Sequence, residues 1–493
     1  MPLPPLDPYW QTTDHKTVKL YHGDVINVLR RMPTKSVQMV VTSPPYWGLR
    51  DYGTAEWEGG DEDCDHIEVT AESTHKSSTL GISADGSGSR HPVTNAAYKA
   101  LVRQFADQCG KCGAKRIDQQ IGSEATPDEF VVKMVEVFRH VRRVLRDDGT
   151  LWLNLGDSYF SGGAFGHGGT GETFNKQNTN RGSQHSSGSG STGLKPGNLI
   201  GAPWRVAFAL QADGWVLRQD IIWHKPSPMP ESVRNRCTKA HEYLFLLTKK
   251  GSGYFCDMDA IREPNSESTF KMNPRYGTPD KILATKDNPD EGFNTKHTED
   301  SNVFQTHKTY LNSNGRNKRS VWTIASQNYS GAHFATFPEK LITPCILAGT
   351  SEKGCCSKCR TPWKRIVERT GYTPEVVPAG IRNVDLSRED KTRKLSGPEY
   401  NKQAKVKTMG WEAGCDCGLS STVPCIVLDP FIGSGTLCSV ALSHNRWSWG
   451  IDLSEEYLRN NAVPRIEGAL LRVPNKVKLA GREVKTITGG EEI

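Results

Sequence analysis

The sequence predicts an α/β protein: a largely parallel sheet with helices on both faces. Three stretches carry that expectation. Val18–His22 and Val37–Val41 read as strands joined by a helix, and the second is apolar but for Gln38. Strands buried on both faces read as near-continuous apolar runs. Residues 126–149 hold a long amphipathic helix, followed by the apolar strand TLWLNL. Residues 425–466 read as strand, glycine-rich turn, helix, strand, acidic turn and helix.

The elements follow in order. Gly23-Asp24 is the turn after the first strand, and Val25–Met32 the helix after it. Thr126 caps the long helix, Pro127 sits at its first position and Gly149 stops it. Phe130, Met134, Val137, Val141 and Val144 form its apolar stripe. Residues 202–214 read as a helix, 215–226 and 242–250 as strands, and 337–350 as a helix. Residues 160–196 form a flexible Gly/Ser-rich loop, because ten glycines within 161–193 leave too little apolar area to order it.

The chain's 493 residues exceed one ordinary domain. Hydrophobic residues make up 36% and charged residues 24%, which suits a moderate core with many polar insertions. No apolar run approaches the ~20 residues of a membrane span. The N-terminus lacks a basic region followed by an apolar core, so it does not read as a secretory signal. The expected location is the cytoplasm of a bacterium or of a phage-infected host cell. The net charge of +7 is uneven: residues 351–410 carry 14 Lys/Arg against 7 Asp/Glu. A local basic excess suits a polyanion partner or a solvated insertion. Thirteen cysteines without a secretion signal argue against a disulfide framework.

One end of the chain reads as a nucleoside site. The strand Ile426–Leu428 ends at Asp429, and Gly433-Ser434-Gly435-Thr436 follows as a tight turn before a helix. Glycines there let a ligand approach the backbone, and the helix N-terminus offers free N–H groups. The next strand ends in Asp452, an acid spaced about 20 residues from the turn, where it would meet ribose hydroxyls.

DPFIGSGT (429–436) resembles the S-adenosylmethionine-binding motif of DNA amino-methyltransferases, and TSPPY (42–46) resembles their catalytic motif. The catalytic motif comes first, which resembles the beta class of that family. Phe337 and Pro338, within GAHFATFPEKLI, resemble the segment that closes over the methionine end of the cofactor, and Asp24 the turn at its adenine. The resemblance implies a Rossmann-like methyltransferase core with a mixed seven-stranded sheet. Its cofactor site would comprise Asp24, Phe337, Pro338, Asp429, Pro430, Phe431, Gly433, Ser434, Gly435, Thr436 and Asp452. The catalytic residues would be Ser43, Pro44, Pro45 and Tyr46.

The implied chemistry explains those residue types. An exocyclic base amine is a poor nucleophile, because its lone pair is delocalised into the ring. Two acceptors, the Ser43 hydroxyl and the Pro44 carbonyl, would pyramidalise it and hold it in line. The prolines fix backbone angles and bring no competing N–H. Tyr46 would stack on a base flipped out of the duplex. Catalysis is then mostly positioning. Ser at the first motif position is usual for cytosine-N4 enzymes, and the same form occurs with adenine-N6 enzymes.

Two cysteine groups fit structural zinc. Cys64, His66, Cys109 and Cys112 make one set; Cys356 (with Cys355 as a rival), Cys359, Cys415 and Cys417 make the other. Zinc takes four tetrahedral thiolate or imidazole ligands and would supply folding energy to insertions with little core. Cys345 and Cys425 read as core cysteines. For DNA contact the candidates are Asn314, Arg316, Asn317 and Lys318 in a recognition region, and Lys364 and Arg365 in the basic insertion.

The expected organisation follows from these assignments. Residues 16–57 and 126–255 form the catalytic half, and 321–350 with 422–470 the cofactor half. Residues 58–125 and 351–421 are the two zinc-knuckle insertions, 256–320 the DNA-recognition insertion and 471–493 a tail. The expected function is site-specific methyl transfer to a base amine of double-stranded DNA, cytosine N4 before adenine N6. A cognate restriction endonuclease is an expected companion; monomer and dimer stay open. The rivals are a non-catalytic zinc DNA-binding protein on a methylase scaffold, and methylation of RNA or of a protein amide.

Overall fold

The computed structural model describes residues 6–14, 16–48, 56–61, 63–64, 71–72, 101–102, 109, 111–117, 120–124, 126–160, 193–231, 233–264, 316–327, 337–369 and 406–472. Contacts divide the chain into two units. One comprises residues 1–254, 321–343 and 426–493, and the other 255–320 and 344–425. Residues 161–192 of the expected flexible loop, His66, Asn314 and the tail from 473 lie outside the described residues.

The first unit is built on one sheet. Its strands are β1 (Trp10–Gln11), β2 (Val18–His22), β3 (Val37–Thr42), β4 (Leu145–Leu155), β5 (Val216–His224), β6 (His241–Thr248), β7 (Val321–Thr323), β8 (Ile426–Asp429) and β9 (Trp447–Asp452). The spatial order is β1-β2-β9-β8-β3-β4-β6-β5-β7. Pairing is parallel from β2 through β4. β6 runs antiparallel to both β4 and β5, so the sheet is mixed. The described sheet has nine strands, not seven. The two extra ones are the short edge strands β1 and β7, which lack the apolar runs that reveal strands in a sequence.

The longer helices are α1 (Val25–Arg31), α2 (Pro127–Val144), α3 (Ala202–Ala212), α4 (Glu339–Gly349), α5 (Thr436–Ser443) and α6 (Val463–Arg472). The α2 stripe is fully buried: Phe130, Met134, Val137, Phe138, Val141 and Val144 all have 0% exposure. Thr126 caps it by accepting from the Glu129 N–H. It ends at Val144, not at Gly149, because Leu145 turns to extended backbone and starts β4. Gly149 serves the strand instead. A Cβ there would lie 2.6 Å from Leu145 Cδ1 and 2.7 Å from the Gln38 carbonyl oxygen.

The topology places the site. From β3 the chain crosses by α2 to β4, away from β8; from β8 it crosses by α5 to β9, in the opposite direction. The crevice outside the carboxyl ends of β8 and β3 is therefore a topological switch point, the ligand position of open α/β sheets. Gln38 ties these strands near their start, accepting at Oε1 from the Ile426 N–H at 2.7 Å. Among the described residues, no helix is long and apolar enough to cross a membrane.

Candidate active site at the strand ends

Four parallel strands end at one cleft. Gly23 and Asp24 follow β2, Ser43 and Pro45 follow β3, Pro430 to Ser434 follow β8, and Asp452 closes β9; all line it. Phe337 and Thr436 also line it, and the cleft encloses about 1060 Å³ including its open mouth.

The glycine turn has the backbone its sequence implies. Gly433 and Gly435 adopt φ of 50° and 78°, a region that favours glycine. The Gly433 N–H donates to Asp452 Oδ2 and the Ser454 N–H to its Oδ1, each at 2.9 Å. Burial pushes the Asp452 carboxyl up to about 6, against the lowering effect of those N–H bonds. Asp24 caps α1 by accepting from the Asn27 N–H at 2.9 Å.

Of the expected site residues, Pro44, Tyr46, Pro338, Asp429 and Gly435 do not line the cleft. Asp429 is 1% exposed and acts beneath the turn. Its Oδ1 accepts from Thr42 Oγ1 at 2.6 Å and from the Phe431 N–H at 2.9 Å. Burial pushes its carboxyl up to about 7. Gly435 packs beneath as well: a Cβ there would lie 3.2 Å from the Ala462 Cα.

The catalytic turn is anchored from several sides. The Ser43 and Tyr46 hydroxyls are 3.2 Å apart. Tyr46 donates to Glu242 Oε2 at 2.7 Å, with Asn154 Oδ1 at 3.2 Å. Gly156 lies beneath the Tyr46 ring, where a Cβ would come 2.5 Å from Cε2. Trp47 Nε1 donates to the Glu124 carbonyl at 2.8 Å, and Gly48 N–H to the Gly122 carbonyl at 2.8 Å. Pro44 is buried.

Several site residues escape a sequence reading. Gln120 and Ile121 line the cleft from within an insertion that carries no motif for them. Tyr457 lines it from a helical turn past β9. Arg465 on α6 donates to Ser434 Oγ at 3.0 Å, Thr436 Oγ1 at 2.7 Å and Glu339 Oε1 at 2.9 Å, joining the cofactor turn to the start of α4. Glu242 carries no motif either; its alignment with the catalytic turn is a product of the β6–β4 register.

The cysteine groups assemble. Cys64, Cys109 and Cys112 bring their sulfurs within 4.8 Å of one another, and so do Cys356, Cys359, Cys415 and Cys417. Cys355, the rival, instead points its thiol at the Val423 carbonyl at 3.4 Å. Cys345 and Cys425 are fully buried.

In the second unit, Arg365 is a correction to its reading as a DNA contact. Its guanidinium donates to Asp257 at 2.8 Å, Glu352 at 2.7 Å and Thr408 at 2.8 Å, and lies over the Trp411 ring. A guanidinium so engaged holds its own unit together. Lys364 is exposed. Arg316 and Lys318 pair with Glu263 at 3.3 Å and 3.5 Å, and Asn317 accepts from Arg262 at 2.9 Å.

Comparison with known proteins gives the family. The profile of the DNA methylase family matches residues 37–356 and 419–463. The Type II methyltransferase M.Cfr9I of Citrobacter freundii is 35% identical over 331 residues, 67% of this chain and 72% of its own. The Type II methyltransferase M.SmaI of Serratia marcescens is 34% identical over 340 residues, 69% and 77% of the two chains. The solved PvuII DNA methyltransferase (cytosine-N4-specific) aligns with 93% of this chain and 89% of its own, at 14% identity and a TM-score of 0.41. With the paired motifs in one sheet, the match over most of its length places the chain in the DNA methylase family: it is a DNA amino-methyltransferase.

Proposed function

We propose that the chain methylates N4 of cytosine within a specific duplex sequence, using S-adenosylmethionine. The observation that carries this reading is that Ser43 and the glycine turn line the same cleft. An amine held at Ser43 is thereby within reach of a cofactor held at Gly433.

The cleft residues fit the cofactor. Gly433 leaves a cradle without a Cβ at φ 50°, Asp452 presents carboxylate oxygens to ribose hydroxyls, and Phe337 and Pro430 offer apolar walls. When bound, S-adenosylmethionine supplies an electrophilic methyl on a sulfonium. The protein's own contribution is positional. Ser43 Oγ and the Pro44 carbonyl accept the two amine hydrogens and tilt the nitrogen lone pair out of the ring plane. The rigid proline pair fixes the spacing of those acceptors. Tyr46 stacks on the flipped base and offsets part of its unstacking cost of a few kcal/mol. M.Cfr9I and M.SmaI are Type II methyltransferases, which favours a duplex target and a restriction partner.

The cysteine groups suit structural zinc. A tetrahedral site with metal–sulfur distances of about 2.3 Å sets its sulfurs about 3.8 Å apart. Cys64 and Cys109 are separated by 3.8 Å. Cys356, Cys359, Cys415 and Cys417 would complete one site, and Cys64, Cys109 and Cys112, with His66, the other. Lys364, Arg316, Asn317 and Lys318 remain candidates for the DNA face, together with Asn314.

The test is direct. The protein is incubated with labelled cofactor and mixed-sequence duplex DNA, and the modified nucleoside is identified by mass. N4-methylcytosine is expected. N6-methyladenine would replace the cytosine assignment, and the absence of any methylated base would remove the enzymatic one. S43A is expected to abolish transfer while keeping cofactor affinity.

A further inference from the structure

We infer that Glu242 is a positioning residue for the reaction, acting on Ser43 through the Tyr46 hydroxyl. It sets the direction of the Ser43 proton, so that the serine oxygen faces the base amine with its lone pairs. The inference rests on the reading of Ser43 as an amine acceptor.

A serine hydroxyl is both donor and acceptor, and its proton rotates to suit its neighbours. That freedom matters at this position. A Ser43 proton aimed at the amine would bind the nitrogen lone pair and withdraw it from the methyl. An acidic residue at the same position would carry no proton and face no such choice. A serine-first motif therefore needs something to take the proton away from the base.

The surrounding geometry does this. The Tyr46 hydroxyl has one proton and, among the described residues, faces the acceptors Glu242 Oε2 at 2.7 Å and Asn154 Oδ1 at 3.2 Å beyond Ser43. The Asn154 amide is oriented, because its Nδ2 donates to Glu242 Oε2 at 3.2 Å and to the Tyr243 carbonyl at 3.0 Å. Its oxygen thus faces Tyr46. Either acceptor draws the tyrosine proton away from Ser43, and the closer, charged one draws it more strongly. The Ser43–Tyr46 contact at 3.2 Å then has a single remaining proton, that of Ser43.

Glu242 is fixed in turn. Lys225 pairs with its Oε1, with side chains only 23% and 14% exposed for lysine and glutamate. Lys225 also sits over the Trp223 ring at 4.4 Å. In this half-buried setting a chain of hydrogen bonds polarises along its length, so the carboxylate also enriches the serine oxygen.

A double-mutant cycle on the full-length protein tests this. Single-turnover methyl transfer is measured on a duplex that the wild type methylates, with DNA and cofactor affinities measured in parallel. E242Q is expected to slow transfer at least tenfold with both affinities unchanged. In the Y46F background, E242Q is expected to have no further effect, because the path through the hydroxyl is already gone. An E242Q cost that persists in the Y46F background marks Glu242 as a structural partner of Lys225 and overturns the inference; so does a wild-type rate for E242Q. If E242Q does not fold, Y46F alone decides: a wild-type rate overturns the inference, and slowed transfer at unchanged affinity upholds it. S43A separates the two failures. Full transfer by S43A removes the site reading itself, whereas inactive S43A beside an unslowed E242Q removes only the role of Glu242.

Discussion

Thr42 and Asp429 join the two motifs of this protein beneath the cleft: Thr42 Oγ1 donates to Asp429 Oδ1 at 2.6 Å, with both residues buried. Thr42 immediately precedes the catalytic turn and Asp429 immediately precedes the cofactor turn. This hydrogen bond extends the parallel β3–β8 pairing, whose last register pair is Leu428 with Val40, to the point where Ser43 and Pro430 leave the sheet. Asp429 Oδ2 has no hydrogen-bond partner among the described residues, so the carboxyl depends heavily on this donor. Thr42→Val keeps the shape and removes the hydroxyl. It is expected to destabilise the protein by about 1–3 kcal/mol, the cost of a buried acceptor left short of a donor. A urea unfolding midpoint equal to wild type would contradict this.

The same carboxyl predicts a pH dependence. Asp429 is raised to about 7 by burial. A carboxyl that holds its proton more tightly folded than unfolded contributes stability that is complete below about pH 4. That contribution is lost as pH rises through about 7. Asp452, raised to about 6, acts in the same direction. The cofactor-free D429N protein is therefore expected to lose less stability between pH 5 and pH 8 than the wild type. Parallel denaturation midpoints across that range would show that Asp429 does not titrate there.

Gly156 predicts a loss of activity without a loss of fold. An alanine Cβ would lie 2.5 Å from Tyr46 Cε2 and 3.0 Å from Cδ2, so the ring must shift. Gly156→Ala is expected to slow methyl transfer at least tenfold, since small misplacements at a positioned site are costly. Melting should move by no more than a few degrees. Assay and melting curve on one preparation check both halves.

Arg465 predicts a defect in cofactor binding that accompanies a loss of stability. Its guanidinium bridges Ser434, Thr436 and Glu339. Arg465→Met removes charge-assisted bonds worth about 1.5–3 kcal/mol each and is expected to weaken S-adenosylmethionine binding at least tenfold by calorimetry. Arg465→Lys should recover little, because an ammonium lacks the planar fork.

The cysteines predict a metal content. Two zinc ions per chain are expected by elemental analysis. Cys356→Ser should lose one of them, while Cys355→Ser, whose thiol faces the Val423 carbonyl, should lose none. The reverse pattern would reassign the ligand.

Much of the fold was legible because it rests on local patterns. The α2 stripe, the apolar β3 and the β8–turn–α5 run each show periodicity within a dozen or so residues, and all three formed as expected. The end of α2 was misread. Gly149 looked like a helix stop, but its missing side chain makes room for Leu145 beside Gln38, a contact across the sheet. Arg365 was misread for a similar reason. Its basic neighbourhood suggested phosphate, while Asp257 and Glu352, distant in sequence, neutralise it in space.

The α/β class, the order of the two motifs and the residue types offered for chemistry are readable along the chain, because they depend on neighbours in sequence. Tertiary structure alone decided which of those residues share a cleft. It put Asp429 beneath the cleft and made Cys356, rather than Cys355, part of the four-sulfur group. It also brought Glu242, Asn154 and Arg465 to the motifs from other elements. The physical reason is strand register. A shift of one residue in β6 would turn Glu242 to the opposite face of the sheet, and no local pattern around Glu242 records which face it takes.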